Sequence, residues 1–463
     1  MPEPRHDFAR LLDEARRGLD ANYTEHGNPA FARMLRLTGF DRAWRSAHGA
    51  ILVDAAGREY IDCIAGYAVH GIGRAHPDMI AALADALESG HPNWVQFERN
   101  PLAALLARRL SERVPGDLSR VFFSNSGTEA IECALKLARR ATGRSAVLHC
   151  DLAFHGLTLG SLAANGNPKL RDGFGELGDS ECIPFNDLAA LERALSTKRF
   201  AAFLVEPVQG KTCLAAAPGY LAEASRLTQR HGTQFVIDEV QTGIGRTGKF
   251  LALEHDSGCR PDMVVLSKAL AGGYVPVGAT LVRDDVWSKT FDSMARALVH
   301  ASTFQGGVLA MTAALMTLEI HDRERLSERA RDLGARMAAG FRESIARHGA
   351  ADEVRGLGLI LGFPLRKSAS EKMLARLPLL GSLEQLAFGQ SFAMELLETH
   401  GVLCQVTDSH TNLLKFTPPL TIDAAQCDAV VRAVDATFGS LSGGLRATAT
   451  GAMHALRNAA GRV

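Results

Sequence analysis

The chain has 463 residues, and its 51 Lys+Arg balance 51 Asp+Glu to a formal net charge of zero. That length supports a large core divided between two or three packed units. The balance excludes a global basic field for nucleic acid and an acidic, disordered chain, and the apolar and Gly content is that of an ordinary soluble enzyme.

Cys63, Cys133, Cys150, Cys182, Cys213, Cys259, Cys404 and Cys427 are scattered without C-x-x-C or zinc-finger spacing. They are expected to be the reduced thiols of a cytoplasmic protein. The start, MPEPRHDFARLLDEARRGLD, is charged from the outset and has no apolar h-region, so no signal peptide is expected. No apolar run approaches the roughly 18 residues of a membrane span.

In chain order, residues 8–20 place Phe8, Leu11, Leu12, Ala15 and Leu19 on one helical face. AILVDAAGREYIDCI (50–64) reads as two strands around a turn at Ala56-Gly57, and HPDMIAALADALESG (76–90) as a helix closed by Gly90. From about 120 the pattern changes. RVFFSN, AVLHC, AAFLVEP, FVIDEV, MVVLSK and VGATLV are short apolar runs, interleaved with the helices TEAIECALKLARRATG and GYLAEASRLTQRHG. Such runs are strands buried on both faces, and their alternation with helices predicts an α/β, mostly parallel, doubly wound sheet. Beyond about 321 come a long helix, the strands GLGLILGFPL and LLKFTPPL, and the helix DAAQCDAVVRAVDATF. These read as a separate small α+β unit. SGGLRATATGAMHALRNAAGRV closes the sequence as a Gly/Ala-rich, loosely held tail. The expected division is 1–85, contributing to the small domain; 86–325, a large domain; 326–441, the rest of the small domain; and 442–463, the tail. There is no internal repeat.

Ligands of such sheets sit outside the carboxyl ends of the strands. At the first of these ends, FFSNSGTEA stops a strand at Asn125 and opens a helix with Ser126-Gly127-Thr128. Free N–H groups and the helix dipole make an anion site there, although an ordinary helix cap uses the same residues. Asp238-Glu239 ends FVIDEV, where an acid is costly unless paired; a cap or structural ion pair is the ordinary alternative. Lys268 ends MVVLSK, and Gly272-Gly273 behind it argue against a lysine that merely snorkels outward. A phosphate site, a buried acid and a buried lysine on one sheet edge suit pyridoxal 5'-phosphate (PLP). Phe154, after AVLHC, could stack on its ring.

The hexapeptide GIGRTG (243–248) matches the dinucleotide fingerprint G-x-G-x-x-G. Five residues separate it from the strand, no convincing helix follows, and the strand is a late one. It is expected to be a tight loop beside the cofactor, with an NAD oxidoreductase as the rival.

The segments SNSGTEAIECALKLAR, FHGLTLGSL, FLVEPVQG, FVIDEVQTGIGRTGKF, LSKALAGGYVPVGA and HASTFQGG resemble those of class III PLP-dependent aminotransferases, the ornithine, acetylornithine and ω-amino group. The resemblance runs from about Leu37 to Leu441. It implies a homodimer of PLP fold type I with active sites at the subunit interface. It implies Lys268 as the Schiff-base lysine and Asp238 as the partner of the ring nitrogen. Ser126, Gly127 and Thr128 would form the phosphate cup, and Gln241 would lie near the ring hydroxyl. Phe154 would be the stacking aromatic, Thr303 would reach the neighbouring subunit's phosphate, and Tyr67 would be a substrate-pocket aromatic. Three positions depart from the family. Leu157 replaces the arginine of F-H-G-R-T, Lys211 replaces the gate glutamate, and Lys415 replaces the arginine of R-F-x-P-P-L. An apolar wall with two point charges in place of an arginine fork suits a larger, partly apolar amine or aldehyde carrying an anionic group, rather than ornithine, acetylornithine or 4-aminobutyrate. Some relatives in lipid and polyketide pathways use such substrates. No metal, nucleic acid or membrane partner is expected. A racemase, epimerase or phospholyase on the same scaffold, or a non-catalytic PLP-fold protein, would share the core motifs.

Overall fold

The computed structural model describes residues 7–93, 99–366, 381–407 and 412–441. The expected tail, 442–463, lies outside the described residues. The strands are β1 Trp44–His48, β2 Ile51–Asp54, β3 Glu59–Asp62, β4 Arg120–Ser124, β5 Ala146–Cys150, β6 Ser180–Ile183, β7 Phe200–Val205, β8 Gln234–Asp238, β9 Met263–Leu266, β10 Gly278–Val282, β11 Arg355–Leu357, β12 Ile360–Pro364, β13 Val402–Leu403, β14 Gln405–Thr407 and β15 Leu413–Phe416.

Seven of them form the central sheet in the order β4-β10-β9-β8-β7-β5-β6. β5 to β9 run parallel, while β10 is antiparallel to both of its neighbours, β4 and β9. β4 therefore points the same way as β9, and the carboxyl ends of β4, β5, β7, β8 and β9 share one edge. Every residue of β5, β7, β9 and β10 is buried. Their continuous apolar runs are the consequence of helices covering both faces. The helix Gly127–Thr142 lays Ile131, Ala134, Leu135 and Ala138 on one face of this sheet.

A smaller α+β part carries two four-stranded sheets, β1-β2-β3-β13 and β11-β12-β15-β14. β13 pairs in parallel with β3, Val402 opposite Ile61, so chain segments about 340 residues apart close one sheet. The helices Leu326–His348 and Ala424–Leu441 pack on this part.

The single helix expected over 8–20 is two, Phe8–Arg17 and Leu19–Glu25. Gly18 ends the first by turning its N–H back to Glu14 and Arg16 carbonyls. Their apolar face is not packed within the chain: Phe8 is 76% and Leu19 48% exposed. All eight cysteines are free, as expected. No helix among the described residues is long and apolar enough to cross a membrane.

Candidate active site

Three of the positions singled out in the sequence sit at the shared strand edge because the strands that deliver them end there. Ser126 caps the helix Gly127–Thr142, its Oγ accepting from Glu129 N at 3.3 Å. The capping alternative therefore holds, and it is compatible with anion binding. The cap takes Glu129 N and Ala130 N, leaving Gly127 N and Thr128 N at the open end of the helix. A Cβ on Gly127 would press to 3.0 Å from Val240. The Thr128 hydroxyl is engaged, 2.7 Å from both Thr158 Oγ1 and Ser161 Oγ.

Asp238, the last residue of β8, is buried. Its Oδ1 accepts from Val240 N at 2.9 Å, and its Oδ2 lies 2.7 Å from Nδ1 of His155. An ionised carboxylate only accepts, which makes Nδ1 the protonated ring nitrogen. His155 Nε2 is buried without a hydrogen-bond partner. Sequence reasoning passed over His155, although it stands between Phe154 and Leu157. Glu206 was missed as well. It follows β7 directly, and its carboxylate accepts from Phe154 N at 3.1 Å and Gly210 N at 2.8 Å. Burial raises the Glu206 carboxyl above its ordinary value; the charge of His155 opposes this and that of Asp238 adds to it.

Lys268, two residues past β9, has a left-handed backbone (φ 35°). That conformation is strained for a lysine and is the kind of strain found at functional positions. Burial pulls its amine down to about 8 from 10.5; Asp238 and Glu206 oppose the shift and Lys211 adds to it. The two glycines behind it make room for the chain itself. A Cβ on Gly272 would meet Ile72 at 2.6 Å, and one on Gly273 would meet His70 at 2.3 Å.

Lys268 opens into a cavity of about 570 Å³ lined also by Tyr67, Phe154, Leu157, Leu170, Glu206, Lys211, Gln241, Gln405, Thr407 and Lys415. Four of these were singled out as substrate residues from the sequence, namely Tyr67, Leu157, Lys211 and Lys415. Leu157 is 60% exposed at its mouth. Lys211 holds its ammonium 4.7 Å from the Phe154 ring centroid, a cation–π contact. Lys415 is fully buried, donating to Gly210 O and, at 3.1 Å, to Gln241 Oε1. Burial lowers its amine to about 8. Gln241 in turn donates from Nε2 to Tyr67 O at 3.2 Å. Three amines thus face one carboxylate. Tyr67 is delivered by an unusual left-handed turn: Ala65, Gly66, Tyr67 and Ala68 all have positive φ, closed by Ala68 N to Ile64 O at 2.9 Å.

Ser126, Gly127, Thr128 and Asp238 do not line this cavity. Asp238 is nonetheless close enough for its charge to act on Lys268 and Glu206. Thr303 lies apart, exposed on a turn beside Asn125, whose Nδ2 donates to Ser302 Oγ at 2.7 Å. The GIGRTG loop is buried, does not line this cavity, and is bonded to the small domain through Arg246. It folds back on itself, and only the four-residue 3-10 helix Ala252–His255 follows, not the α-helix that opens at the glycines of a dinucleotide fingerprint. The donors at the helix start, the buried Asp238 and the Lys268 amine fit a phosphorylated pyridine aldehyde.

The class-III aminotransferase family pattern matches residues 39–438. Aminotransferase PigE of a Serratia strain is 34% identical across 93% of this chain, and the chain spans about half, 54%, of that curated relative's length. The ornithine aminotransferase of Toxoplasma gondii superposes with a TM-score of 0.80 at 27% identity, covering 95% of this chain and 99% of that one. An amine transaminase from an uncultivated Pseudomonas species, solved with PLP bound, gives 0.75 at 26% identity over 86% of this chain and 94% of that one. The strand-end constellation and these similarities together place the chain in the class-III aminotransferases, PLP-dependent enzymes of fold type I.

Proposed function

We propose that this chain moves an amino group between an amine or amino-acid donor and a keto or aldehyde acceptor, and that its substrate is larger and partly apolar rather than ornithine or acetylornithine. The observation that carries the reading is the lining of the cavity. Leu157 stands exposed at the mouth and only lysines supply positive charge, so no arginine fork is present among the described lining residues to clamp a carboxylate. Identity to Serratia PigE, 34%, exceeds that to the Toxoplasma ornithine aminotransferase, 27%.

When bound, PLP supplies a carbonyl carbon that accepts the amine and a ring that takes up the electron pair left when the donor carbon loses its proton. Gly127 N and Thr128 N would hold the phosphate. Asp238, fixed by His155 and Val240 N, would keep a proton on the ring nitrogen. Phe154 would cover a ring face, and Gln241 would hold the ring hydroxyl. The lowered pKa leaves the Lys268 amine free to take the proton from the donor carbon and return it to the acceptor. Water supplies the oxygen that replaces the donor's nitrogen. Thr303 serves the neighbouring subunit of a homodimer.

The test is a panel of amine donors and keto or aldehyde acceptors with the PLP-loaded protein. The protein should show a visible cofactor absorbance that borohydride bleaches, and Lys268→Ala should lose nearly all transfer. Turnover of ornithine with 2-oxoglutarate on a par with the best donor would refute the substrate reading. A colourless, PLP-free, active protein would refute the whole scheme.

A further inference from the structure

The GIGRTG hexapeptide stands out in the sequence, yet the cofactor site leaves it without a role. All six of its residues are buried. Arg246 is 1% exposed, and it has no carboxylate partner among the described residues. Its Nη1 donates to two backbone carbonyls, Leu359 O at 3.0 Å and Pro418 O at 2.5 Å, while Nη2 has no partner. Burial alone pulls the guanidinium down to about 9. A buried charge without a counter-charge is costly, so its geometry has to supply something in return.

Both carbonyls belong to the small domain, at the ends of its paired strands β12 and β15. Leu359 immediately precedes β12, and its N–H donates back to Arg246 O at 3.0 Å. Pro418 closely follows β15. The two strands pair with Gly362 opposite Lys415, and Lys415 is the residue that reaches Gly210 O and Gln241 Oε1. Gln241 lies five residues before Arg246 on the same loop. The seam is tight from the other side too: Gly358 (φ +55°) would bring a Cβ to 2.5 Å from the Thr247 carbonyl carbon.

We propose that Arg246 is a positioning residue: it clamps β12 and β15 to the loop after β8, so that Lys415 stays seated on Gln241 and the small-domain wall keeps a fixed place opposite Lys268. The part that concerns Lys268 rests on the aminotransferase reading; the clamp itself does not.

The test compares Arg246→Lys, Arg246→Met and Gly358→Ala with the parent by two measurements. In the first, hydrogen exchange of the apoprotein, Arg246→Met should speed exchange over 355–361 and 413–420 by about tenfold or more, with β7 and β8 unchanged. Arg246→Lys, which keeps the charge but not the fork, should fall between. In the second, the pH titration of the visible cofactor absorbance in PLP-loaded protein, the midpoint should move upward by about half a unit or more as the Lys415 charge leaves Lys268. In a Lys415→Met background the Arg246→Met change should add no further shift. Gly358→Ala wedges the same seam and should reproduce both effects, which decides the matter if Arg246→Met does not fold. Parental exchange and a parental midpoint in either folded variant would overturn the proposal. So would a uniform loss of protection without a midpoint shift. Absence of any cofactor absorbance in the parent would refute the aminotransferase reading, and the exchange arm would still decide on Arg246.

Discussion

At Leu157 and Lys268 the proposed chemistry rests on single side chains. Leu157 presents a hydrocarbon at the cavity mouth, 60% exposed. Leu157→Arg would place a planar donor fork there, and one charge-assisted pair is worth about 1.5–3 kcal/mol. The variant should therefore gain about tenfold or more in kcat/KM for 2-oxoglutarate relative to an uncharged aldehyde. Steady-state kinetics showing no gain would remove Leu157 from the specificity wall. The Lys268 amine is held at about 8, below its ordinary 10.5, by burial above all. Only the neutral amine attacks an aldehyde. Capture of PLP by the apoprotein should accelerate as pH rises toward about 8 and flatten above it, whereas an unshifted lysine would keep gaining up to 10.5. Stopped-flow absorbance from about pH 6 to about pH 10 distinguishes the two. The placing of Asp238 and Lys268 at strand ends was legible in the sequence because each stands at the close of an apolar run. His155 was not, because its partner lies 83 residues away and only the fold brings them within 2.7 Å.

Among the elements, the helix Gly127–Thr142 is expected to couple fold stability to the proposed ligand binding through one cap. Ser126→Ala removes the acceptor for Glu129 N and should cost about 1 kcal/mol in thermal unfolding. PLP affinity should fall with it, as the first turn frays where the phosphate is proposed to bind. A variant of unchanged melting temperature and PLP affinity would separate the cap from the site. Strands buried on both faces announce themselves as unbroken apolar runs, which is why β4, β5, β7, β8, β9 and β10 were visible in the sequence. β6 was not, since Ser180–Ile183 lies at the sheet edge and buries only Ile183. The helix Val308–Arg323 was equally hidden. Nine of its residues are buried, spread around the helix, so no polar face betrays the period. The expected single N-terminal helix failed at Gly18, whose stop signal was outweighed by a regular apolar spacing on both sides.

For the whole molecule, the exposed apolar surface is the informative feature. Met294 is 96%, Leu298 67% and Phe304 65% exposed, and they flank the segment that carries Thr303. Such a surface calls for cover, and a second copy of the chain is the proposed cover. Sedimentation equilibrium should return twice the 49.6 kDa chain mass. A Met294→Glu, Leu298→Glu double variant should shift the population to monomer and weaken PLP retention together. A monomeric parent that retains PLP would contradict the shared-site arrangement. The reach of GIGRTG across the two parts of the chain was invisible in the sequence for a related reason, since a glycine pattern states that the backbone turns but not what it turns toward.

The left-handed turn under Tyr67 sets durability against use. Ala65, Tyr67 and Ala68 hold a conformation that costs a side-chain-bearing residue about 1–2 kcal/mol each, relief that glycine would supply at once. Selection for heat resistance alone would therefore favour Tyr67→Gly, and with it the loss of an aromatic ring from the cavity wall. A laboratory evolving a hardier catalyst from this chain would do well to score melting temperature and turnover side by side at position 67, because there the two are expected to move in opposite directions.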